Sequence, residues 1–180
     1  MNLSEHEVFV DCGAYNGDTV MKFIKNAGKY KYIYAFEPSP LQYELTEMCL
    51  AFAKVSDIEV YNFGLWDKED KLKFKINSPA DGGLSDDGDI IVPVTSLDST
   101  LYDKAHHPTI IKMDIEGAEL KALQGAHRVI ERDRPKLAIS IYHEPDDPWV
   151  IPHWIKSNFP DYKIYMRQHQ NINETVCYAI

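Results

Sequence analysis

The sequence has little cysteine, no long apolar run and no excess of basic residues. Each of these absences excludes some classes of protein function. Its three cysteines, Cys12, Cys49 and Cys177, are widely separated and form no CxxC pair. Their odd number and spacing match no zinc site, so we interpret them as buried or neutral thiols. The polar start of the chain does not resemble a signal peptide, and no apolar run approaches the length of a membrane span. We therefore expect a cytoplasmic protein without a membrane span.

The charge balance is acidic. Asp and Glu number 28 against 19 Lys and Arg, which gives a formal net charge of −9. Nucleic-acid binding depends on clustered lysine and arginine, so we predict no nucleic-acid partner. A small neutral or cationic substrate fits this charge better, although solubility alone would explain the charge equally well.

The length of 180 residues and the hydrophobic content of 44% predict one domain over residues 1–180. Strand-like and helix-like patterns alternate along most of the chain. The predicted strands are 8–11, 31–36, 58–63, 109–113, 136–142, 162–167 and 175–180, and the predicted helices are 20–27, 41–52, 120–130 and 149–156. This alternation predicts an α/β fold with a doubly wound, mostly parallel, Rossmann-like sheet and a closing antiparallel pair.

The middle of the chain, residues 71–95, departs from this alternation. Leu72, Phe74 and Ile76 alternate with lysines, which predicts a half-exposed edge strand with a charged outer face. The loop 78–89 that follows is rich in Gly, Asp and Pro, so we interpret it as a candidate lid. The segment is therefore predicted to be a β insertion consisting of an edge strand and a loop.

The stretch 8–19, VFVDCGAYNGDT, joins a buried strand to a helix through a glycine turn. Asp11 ends the strand, and Gly13, Ala14 and Gly17 form the turn. Glycine lacks a Cβ and adopts dihedral angles closed to other residues, so this backbone can approach a ligand closely. The arrangement predicts a pocket for a nucleotide-type cofactor.

Two departures from known phosphate-binding motifs narrow the choice of cofactor. A dinucleotide fingerprint reads GxGxxG, and here Tyr15 occupies the position of its second glycine. A P-loop needs a lysine after its last glycine, and Asp18 and Thr19 follow Gly17 instead. We expect these two residues to cap the helix. A strand-end acid with a looser glycine turn suits a ligand that carries an ammonium and a sulfonium but no phosphate, such as S-adenosylmethionine.

Three segments match one known family in the right order: DCGAYNGDT at 11–19, IKMDIEGAELKAL at 111–123 and RQHQNINETVCYA at 167–179. The chain resembles the FkbM family of S-adenosylmethionine-dependent methyltransferases. The resemblance implies a class I methyltransferase fold with a seven-stranded sheet. It also implies methyl transfer to an acceptor oxygen, often a hydroxyl of a sugar or natural product.

The resemblance and the fold also imply which residues hold the cofactor. Asp11 and the turn would bind its amino-acid end, and Glu37, at the end of the second strand, would bind the ribose hydroxyls. In the alternative interpretation, Glu37 caps the Pro-Ser-Pro turn that follows it. The predicted cofactor-binding residues are Asp11, Gly13, Ala14, Tyr15, Gly17, Asp18, Thr19, Glu37, Asn62, Gly64, Leu65 and Asp114.

Carboxylates and one histidine are predicted near the reactive end of the cofactor. Asp114 ends the fourth main strand and His143 follows the fifth. Both are predicted catalytic residues, and His143 is the leading candidate for the general base. Glu116 and Glu119 follow Asp114 closely. A site without metal is our prediction, with two alternatives: Asp114 and Glu116 hold a divalent cation, or the acids stabilise the helix near Gly117.

Other functions and partners stay open at this point. A nicotinamide-dependent oxidoreductase shares the alternating architecture, and a non-catalytic module could keep the cofactor site alone. Tyr142, Trp149 and Trp154 could form a stacking wall for a sugar, or could belong to the core. The chain starts at the first strand, so a homo-oligomer or a partner chain could cover the substrate side.

Overall fold

The computed structural model describes residues 3–78, 81–85, 87–169 and 174–180, and its largest element is a seven-stranded sheet. The strands of this main sheet are β1 (Val8–Cys12), β2 (Tyr32–Phe36), β3 (Ile58–Tyr61), β8 (Ile110–Met113), β9 (Lys136–Ser140), β10 (Ile164–His169) and β11 (Glu174–Ala179). Those of a second sheet are β4 (Gly64–Leu65), β5 (Asp70–Ser78), β6 (Asp81–Leu84) and β7 (Ile90–Thr95). The helices are α1 (Asp18–Ala27), α2 (Pro40–Phe52), α3 (Leu97–Leu101), α4 (Glu119–Gln124), α5 (His127–Asp133) and α6 (Asp147–Asn158).

The main sheet has the order β3-β2-β1-β8-β9-β11-β10. β1 lies between β2 and β8 and is parallel to both, and Cys12 is in register with Phe36 and Met113. The carboxyl ends of the three strands therefore meet at one edge of the sheet. In open α/β sheets, this edge is where ligands bind.

The chain closes the sheet with an antiparallel pair. β10 pairs with β11, and β11 pairs antiparallel with β9. The predicted α/β class with a mostly parallel sheet and antiparallel closing strands is therefore confirmed.

Helices cover both faces of the sheet. Alternate residues of β1 belong to different clusters: Val8 and Val10 pack with residues of α3, α5 and α6, whereas Phe9 packs with residues of α1 and α2. All residues of β1 are buried because both of its faces are covered. None of the helices in the described ranges combines the length and apolarity that a membrane span needs.

The second sheet corrects the prediction for residues 71–95. β5 pairs with β7 on one side and β6 on the other, so the predicted edge strand is an internal strand of a separate sheet. Phe74 is buried beneath this sheet while the neighbouring lysines are exposed, as the alternation indicated. Part of the predicted loop 78–89 is β6, because its backbone completes the hairpin with β5; residues 79, 80 and 86 of that loop lie outside the described residues.

The predicted helix 120–130 is two helices, α4 and α5, which separate at Gly125. A Cβ added to Gly125 would lie 2.1 Å from the carbonyl oxygen of Trp66. The backbone of the second sheet therefore approaches this point too closely for a side chain. Apolar residues recur at helical spacing on both sides of Gly125, so the sequence pattern predicted a single helix.

Helix α2 begins one residue before the predicted helix 41–52, and most of its larger apolar residues are exposed. Its apolar residues Leu41, Leu45, Met48 and Phe52 are exposed, and Phe52 is 91% exposed. Its buried residues are Gln42, Thr46 and Leu50. This orientation follows from its neighbour, because Thr46 Oγ1 donates a 2.6 Å hydrogen bond to the carbonyl oxygen of Tyr15 in the glycine turn.

Candidate active site at the carboxyl edge of the sheet

A cavity of about 440 Å³ lies at the carboxyl edge of the main sheet. Its volume falls in the range of about 300–1,000 Å³ that is typical of small-molecule sites. The predicted site residues that line it are Gly13, Tyr15, Asp18, Thr19, Glu37, Gly64, Leu65, Asp114 and Glu116. Asp11, Ala14, Gly17, Asn62 and His143 do not line it.

The glycine turn is set by the close approach of β1 and β8. Gly13 has φ +84°, and an added Cβ would lie 2.1 Å from the carbonyl oxygen of Asp114. Only glycine fits this position, because any side chain would collide with the backbone that follows β8. The close contact brings the turn and Asp114 to the same cavity.

The start of α1 corrects the predicted caps. Gly17, with φ 82°, is the N-cap and makes no side-chain capping bond. The backbone N–H of Asp18 instead donates to Asn16 Oδ1 at 3.2 Å, and the Asp18 carboxylate pairs with Lys22 at 2.6 Å. Asp18 and Thr19 therefore do not cap the helix, and both residues line the cavity.

Tyr15 joins the turn to β2 and α2. It adopts a left-handed conformation with φ 53°, which is uncommon for residues other than glycine. Its backbone N–H donates to Glu37 Oε2 at 2.9 Å, and its carbonyl oxygen accepts from Thr46. The conformation of Tyr15 thus positions the carboxylate of Glu37.

Glu37 lies at the end of β2 and is 6% exposed. Oε2 accepts from Tyr15, and Oε1 accepts from the backbone N–H of Ser39 at 2.9 Å. Burial raises the pKa of Glu37 to about 7, although the two backbone donors favour its charged form. The carboxylate braces the following turn, as the alternative interpretation expected, and also faces the cavity, where its remaining lone pairs can accept hydroxyl protons.

Asp11 lies beneath the cavity. Its side chain is fully buried, and Oδ1 is 3.0 Å from Lys112 Nζ. Lys112 also donates to the carbonyl oxygen of Gly13 at 2.8 Å and lines the cavity itself. Burial lowers the pKa of Lys112, but the nearby Asp11 and Asp114 carboxylates outweigh this, so the pKa is raised and the ammonium is retained. The structure thus places Lys112, not Asp11, at the cavity surface.

The predicted cofactor-binding residues that follow β3 separate into two groups. Gly64 and Leu65 line the cavity as strand β4. Asn62 instead donates from Nδ2 to the carbonyl oxygens of Glu37, at 2.9 Å, and Pro38, at 3.2 Å. Asn62 therefore fixes the connection between β2 and α2.

Asp114 stands at the end of β8 with its side chain 37% exposed. The hydroxyl of Tyr142 donates to Asp114 Oδ1 at 2.9 Å. Burial, together with the Asp114 charge, raises the pKa of Tyr142 well above its ordinary value, so the phenol keeps its proton. Tyr142 and Asp114 both line the cavity.

His143 lies behind Asp114, and its side chain is only 8% exposed. Nδ1 is 2.9 Å from Glu119 Oε1, and Nε2 is 3.5 Å from Asp114 Oδ1 and 3.6 Å from Glu116 Oε2. Burial lowers the pKa of His143, but these carboxylates, Glu119 first, outweigh burial and raise it. This position does not favour the predicted general base, because the imidazole is buried and its pKa is raised.

Glu119 accepts hydrogen bonds from the backbone of the turn that precedes α4. It is fully buried. Oε1 accepts from the backbone N–H of Ile115 at 2.8 Å, and Oε2 accepts from that of Gly117 at 3.0 Å. Glu119 therefore fixes the turn between β8 and α4, as the helix-stabilising alternative predicted for it.

The remaining walls differ from the predicted aromatic wall. Trp154 packs against Phe159 and His127 in the core, and Trp149 is 61% exposed. Neither lines the cavity. Trp154 follows the core alternative, and Trp149 belongs to neither the cavity wall nor the core. The β5–β6 hairpin forms a wall instead, through Phe74, Ile76, Gly82, Gly83 and Leu84.

Sequence reasoning missed Lys112 as a site residue. It is the only charged residue in β8, whose other residues are buried. A lysine in such a strand needs a partner, and the parallel register places Asp11 beside it. That single charge in an apolar run was the signal that could have identified it.

Comparison with solved structures shows the same architecture in methyltransferases. The FkbM methyltransferase from Methylobacillus flagellatus is 31% identical with a TM-score of 0.83; the match covers 100% of this chain and 45% of that one. This chain thus spans less than half the length of that protein. A putative methyltransferase from Streptococcus mutans, solved with S-adenosylhomocysteine, is 13% identical with a TM-score of 0.60; the match covers 98% and 90% of the two chains. A fibrillarin from Aeropyrum pernix, solved with S-adenosylmethionine, is 10% identical with a TM-score of 0.61; the match covers 99% and 67%.

A search of curated proteins found no significant match. The family model described as the methyltransferase FkbM domain matches residues 11–173. That range contains the glycine turn, Glu37 and the cluster around Asp114. The chain belongs to the FkbM methyltransferase domain family.

Proposed function

We propose that this chain transfers the methyl group of S-adenosylmethionine to an oxygen of a small acceptor, a sugar or a natural product that bears hydroxyl groups. The observation that carries the proposal is the position of Glu37. Its carboxylate ends β2 and faces the cavity beside the turn that follows β1. This is where the fold binds the ribose of a nucleotide-type cofactor.

The charges of the cavity fit a cofactor without phosphate. Lys22 and Lys112 are the basic side chains among the described lining residues. Lys22 pairs with Asp18, and Lys112 pairs with Asp11. Because both ammonium groups are already neutralised, the cavity offers little to a pyrophosphate. This favours S-adenosylmethionine over the nicotinamide dinucleotide of the competing oxidoreductase hypothesis.

We assign the parts of the cofactor to separate walls. Glu37 accepts the ribose hydroxyls, and Gly64 and Leu65 contact the adenine. The turn at 13–17, which includes Gly13, Ala14, Tyr15 and Gly17, approaches the amino-acid end. Asp18 and Thr19 offer oxygen atoms to its ammonium group. Asp11 acts indirectly, by holding Lys112 at the floor of the cavity.

The acceptor side is rich in oxygen ligands. Asp114, Glu116, Tyr142 and Glu174 line the cavity, and carboxylates accept hydrogen bonds from hydroxyl groups. We propose that Asp114 orients the acceptor hydroxyl and takes its proton, while Tyr142 holds Asp114 in place. His143 would fix the carboxylate from behind and would not itself remove the proton.

When bound, S-adenosylmethionine supplies an electrophilic methyl group on sulfonium sulfur, which an acceptor oxygen takes up as its hydroxyl loses a proton. The chain contributes mainly by alignment and by excluding water. The buried floor beneath the cavity and the β5–β6 hairpin wall serve that purpose.

Calorimetric titration with S-adenosylhomocysteine tests the cofactor site. We expect one binding site per chain, and Glu37→Ala should weaken it by about tenfold or more, because a hydrogen-bonded charged group is lost. Glu44→Ala, at an exposed glutamate of α2, is the matched control and should bind normally. Absence of both heat and thermal stabilisation by S-adenosylhomocysteine would overturn the proposal.

The same samples distinguish the competing functions. Thermal stabilisation by NADH instead of S-adenosylhomocysteine would support an oxidoreductase. Binding of S-adenosylhomocysteine with no methylation across a panel of sugars and hydroxylated natural products would support a non-catalytic module. Formation of S-adenosylhomocysteine with one acceptor class, lost in Asp114→Asn, would support methyl transfer.

A further inference from the structure

We propose that His143, Asp114 and Glu116 form a binding site for a divalent transition-metal ion at the edge of the cavity, with Glu119 orienting the histidine. Binding of the ion stands independently of methyl transfer. Its catalytic role, described below, rests on the proposed function.

The distances around His143 Nε2 suit two ligands of one ion. Nε2 is 3.5 Å from Asp114 Oδ1 and 3.6 Å from Glu116 Oε2. These separations are long for hydrogen bonds. Two ligand atoms that bind a tetrahedral ion at about 2.0–2.2 Å are about 3.4 Å apart. Asp114 and His143 also belong to a group of described residues whose ligand atoms lie within 4.8 Å of one another, and the third member of that group is Glu119, not Glu116. The half-exposed Glu116 carboxylate would therefore turn toward an ion held by Asp114 and His143.

His143 is an independent indication that something is bound here. Its side chain is more than nine-tenths buried, and Nε2 has no hydrogen-bond partner of acceptable geometry among the described residues. Buried polar groups without partners are costly, and native proteins rarely leave them so. An ion bound to Nε2 would supply the missing partner.

Glu119 occupies the position of an outer-shell carboxylate. Its Oε1 is 2.9 Å from His143 Nδ1. Metal-binding histidines commonly place their second nitrogen against a carboxylate, which fixes the tautomer and the ring orientation. The backbone amides of Ile115 and Gly117 hold Glu119 rigidly. Glu119 is therefore a positioning residue, not a proposed ligand.

The cluster is also open toward the cavity. The side chains of Asp114 and Glu116 are 37% and 44% exposed, and both line the cavity. An ion held by these two carboxylates and His143 would keep positions for water or for an acceptor hydroxyl. There it would lower the pKa of the hydroxyl and orient it for methylation.

The donor set indicates the class of ion. One imidazole and two carboxylates suit Mn²⁺, Fe²⁺, Co²⁺ or Zn²⁺ better than Mg²⁺ or Ca²⁺, which prefer oxygen ligands alone. Co²⁺ is a useful probe, because its visible absorption reports the coordination of nitrogen and oxygen ligands.

The test titrates the metal-free protein with Co²⁺ alone, followed by visible absorption, and with Zn²⁺ and Mn²⁺ by calorimetry. We expect one saturable site. His143→Ala should weaken it by about 100-fold or more, and Glu119→Gln by about 10–100-fold. His153→Ala, at an exposed histidine of α6, and Glu131→Gln, at an exposed glutamate of α5, should leave it unchanged.

Glu116→Gln keeps the test valid if His143→Ala does not fold, because Glu116 is half-exposed. It should weaken Co²⁺ binding by at least tenfold in a protein that still unfolds cooperatively. The proposal is overturned if no saturable binding occurs, if His143→Ala binds as well as the wild type, or if Glu116→Gln binds normally while Glu119→Gln does not. S-adenosylhomocysteine titrated into the same metal-free samples reports the cofactor site separately, so failure of one proposal does not imply failure of the other.

Discussion

Lys112 Nζ lies 3.0 Å from Asp11 Oδ1, and the two residues are direct neighbours in the parallel pairing of β1 with β8. Asp11 has no exposed surface, whereas Lys112 reaches the cavity. The ammonium also donates to the carbonyl oxygen of Gly13. A buried ion pair therefore joins the two central strands directly beneath the glycine turn.

Removal of the lysine should destabilise the fold strongly. Lys112→Met leaves the Asp11 carboxylate buried without a counter-charge, so we expect the free energy of unfolding to fall by about 3–5 kcal/mol. Urea denaturation at pH 7 measures this loss. Asp11→Asn combined with Lys112→Met should cost less than Lys112→Met alone, because no charge is then stranded.

Lys22→Met is the matched control for that experiment. Lys22 also pairs with an aspartate, Asp18, but both side chains are largely exposed. We expect a change of roughly 0–1 kcal/mol. If Lys22→Met and Lys112→Met lowered the free energy of unfolding equally, burial would not explain the strength of the pair between Asp11 and Lys112.

Binding of S-adenosylhomocysteine should depend on pH through Glu37. Burial raises the pKa of its carboxyl to about 7, and the charged form is the better acceptor for ribose hydroxyls. We expect affinity to be constant above pH 7 and to fall by up to about tenfold per pH unit below it. Calorimetry at several values from pH 5.5 to 8.5 measures this, and Glu37→Gln should flatten the profile.

Glu37 also makes the stability of the protein depend on pH, but in the opposite direction to its effect on affinity. Folding raises the pKa of Glu37 from its ordinary value of 4.5 to about 7, so its contribution to stability is fully present below about pH 4.5 and is lost as the pH rises through 7. Affinity that falls above pH 7, or a profile unchanged in Glu37→Gln, would contradict the assignment of Glu37.

Gly13→Ala should disrupt the turn far more than an ordinary glycine substitution. The new Cβ would lie 2.1 Å from the carbonyl oxygen of Asp114, which adds overpacking of about 1–3 kcal/mol or more to the cost of the positive φ. Gly28, with φ +70° and open space around it, is the matched control; Gly28→Ala should cost about 1–2 kcal/mol. Denaturation curves compare the two, and similar losses would show that the contact with β8 is not tight.

The sequence predicted the parts of this molecule that depend on local pattern. Apolar runs located β1, β2 and β8, and the acids that follow them located Glu37 and Asp114 at the correct edge of the sheet. Both predictions hold because parallel strands align their carboxyl ends whatever the loops do. The family resemblance supplied the methyltransferase class.

Positions that depend on tertiary contacts were predicted less well. Asp11 was expected to line the cavity, but its carboxylate pairs with Lys112 on the neighbouring strand β8 and lies beneath the cavity. His143 was predicted to be the general base, but its side chain is buried among three acids. The lone lysine in the apolar β8 was the sequence signal for the first arrangement. The second depends on which strand ends become neighbours, and spacing along the chain does not show that.

Helix α2 shows the same limit and supports a last prediction. Its apolar residues predicted the helix but mark its exposed side, and Thr46, which is fully buried, hydrogen-bonds to the carbonyl oxygen of Tyr15. Thr46→Val removes the donor while keeping the shape, so we expect a loss of about 1–3 kcal/mol in urea denaturation. Because Tyr15 also donates to Glu37, affinity for S-adenosylhomocysteine should fall as well. Leu45→Val, on the exposed side of the same helix, should change stability by no more than about 0.5 kcal/mol, and a Thr46→Val protein as stable and as tight-binding as this control would show that α2 does not position the turn.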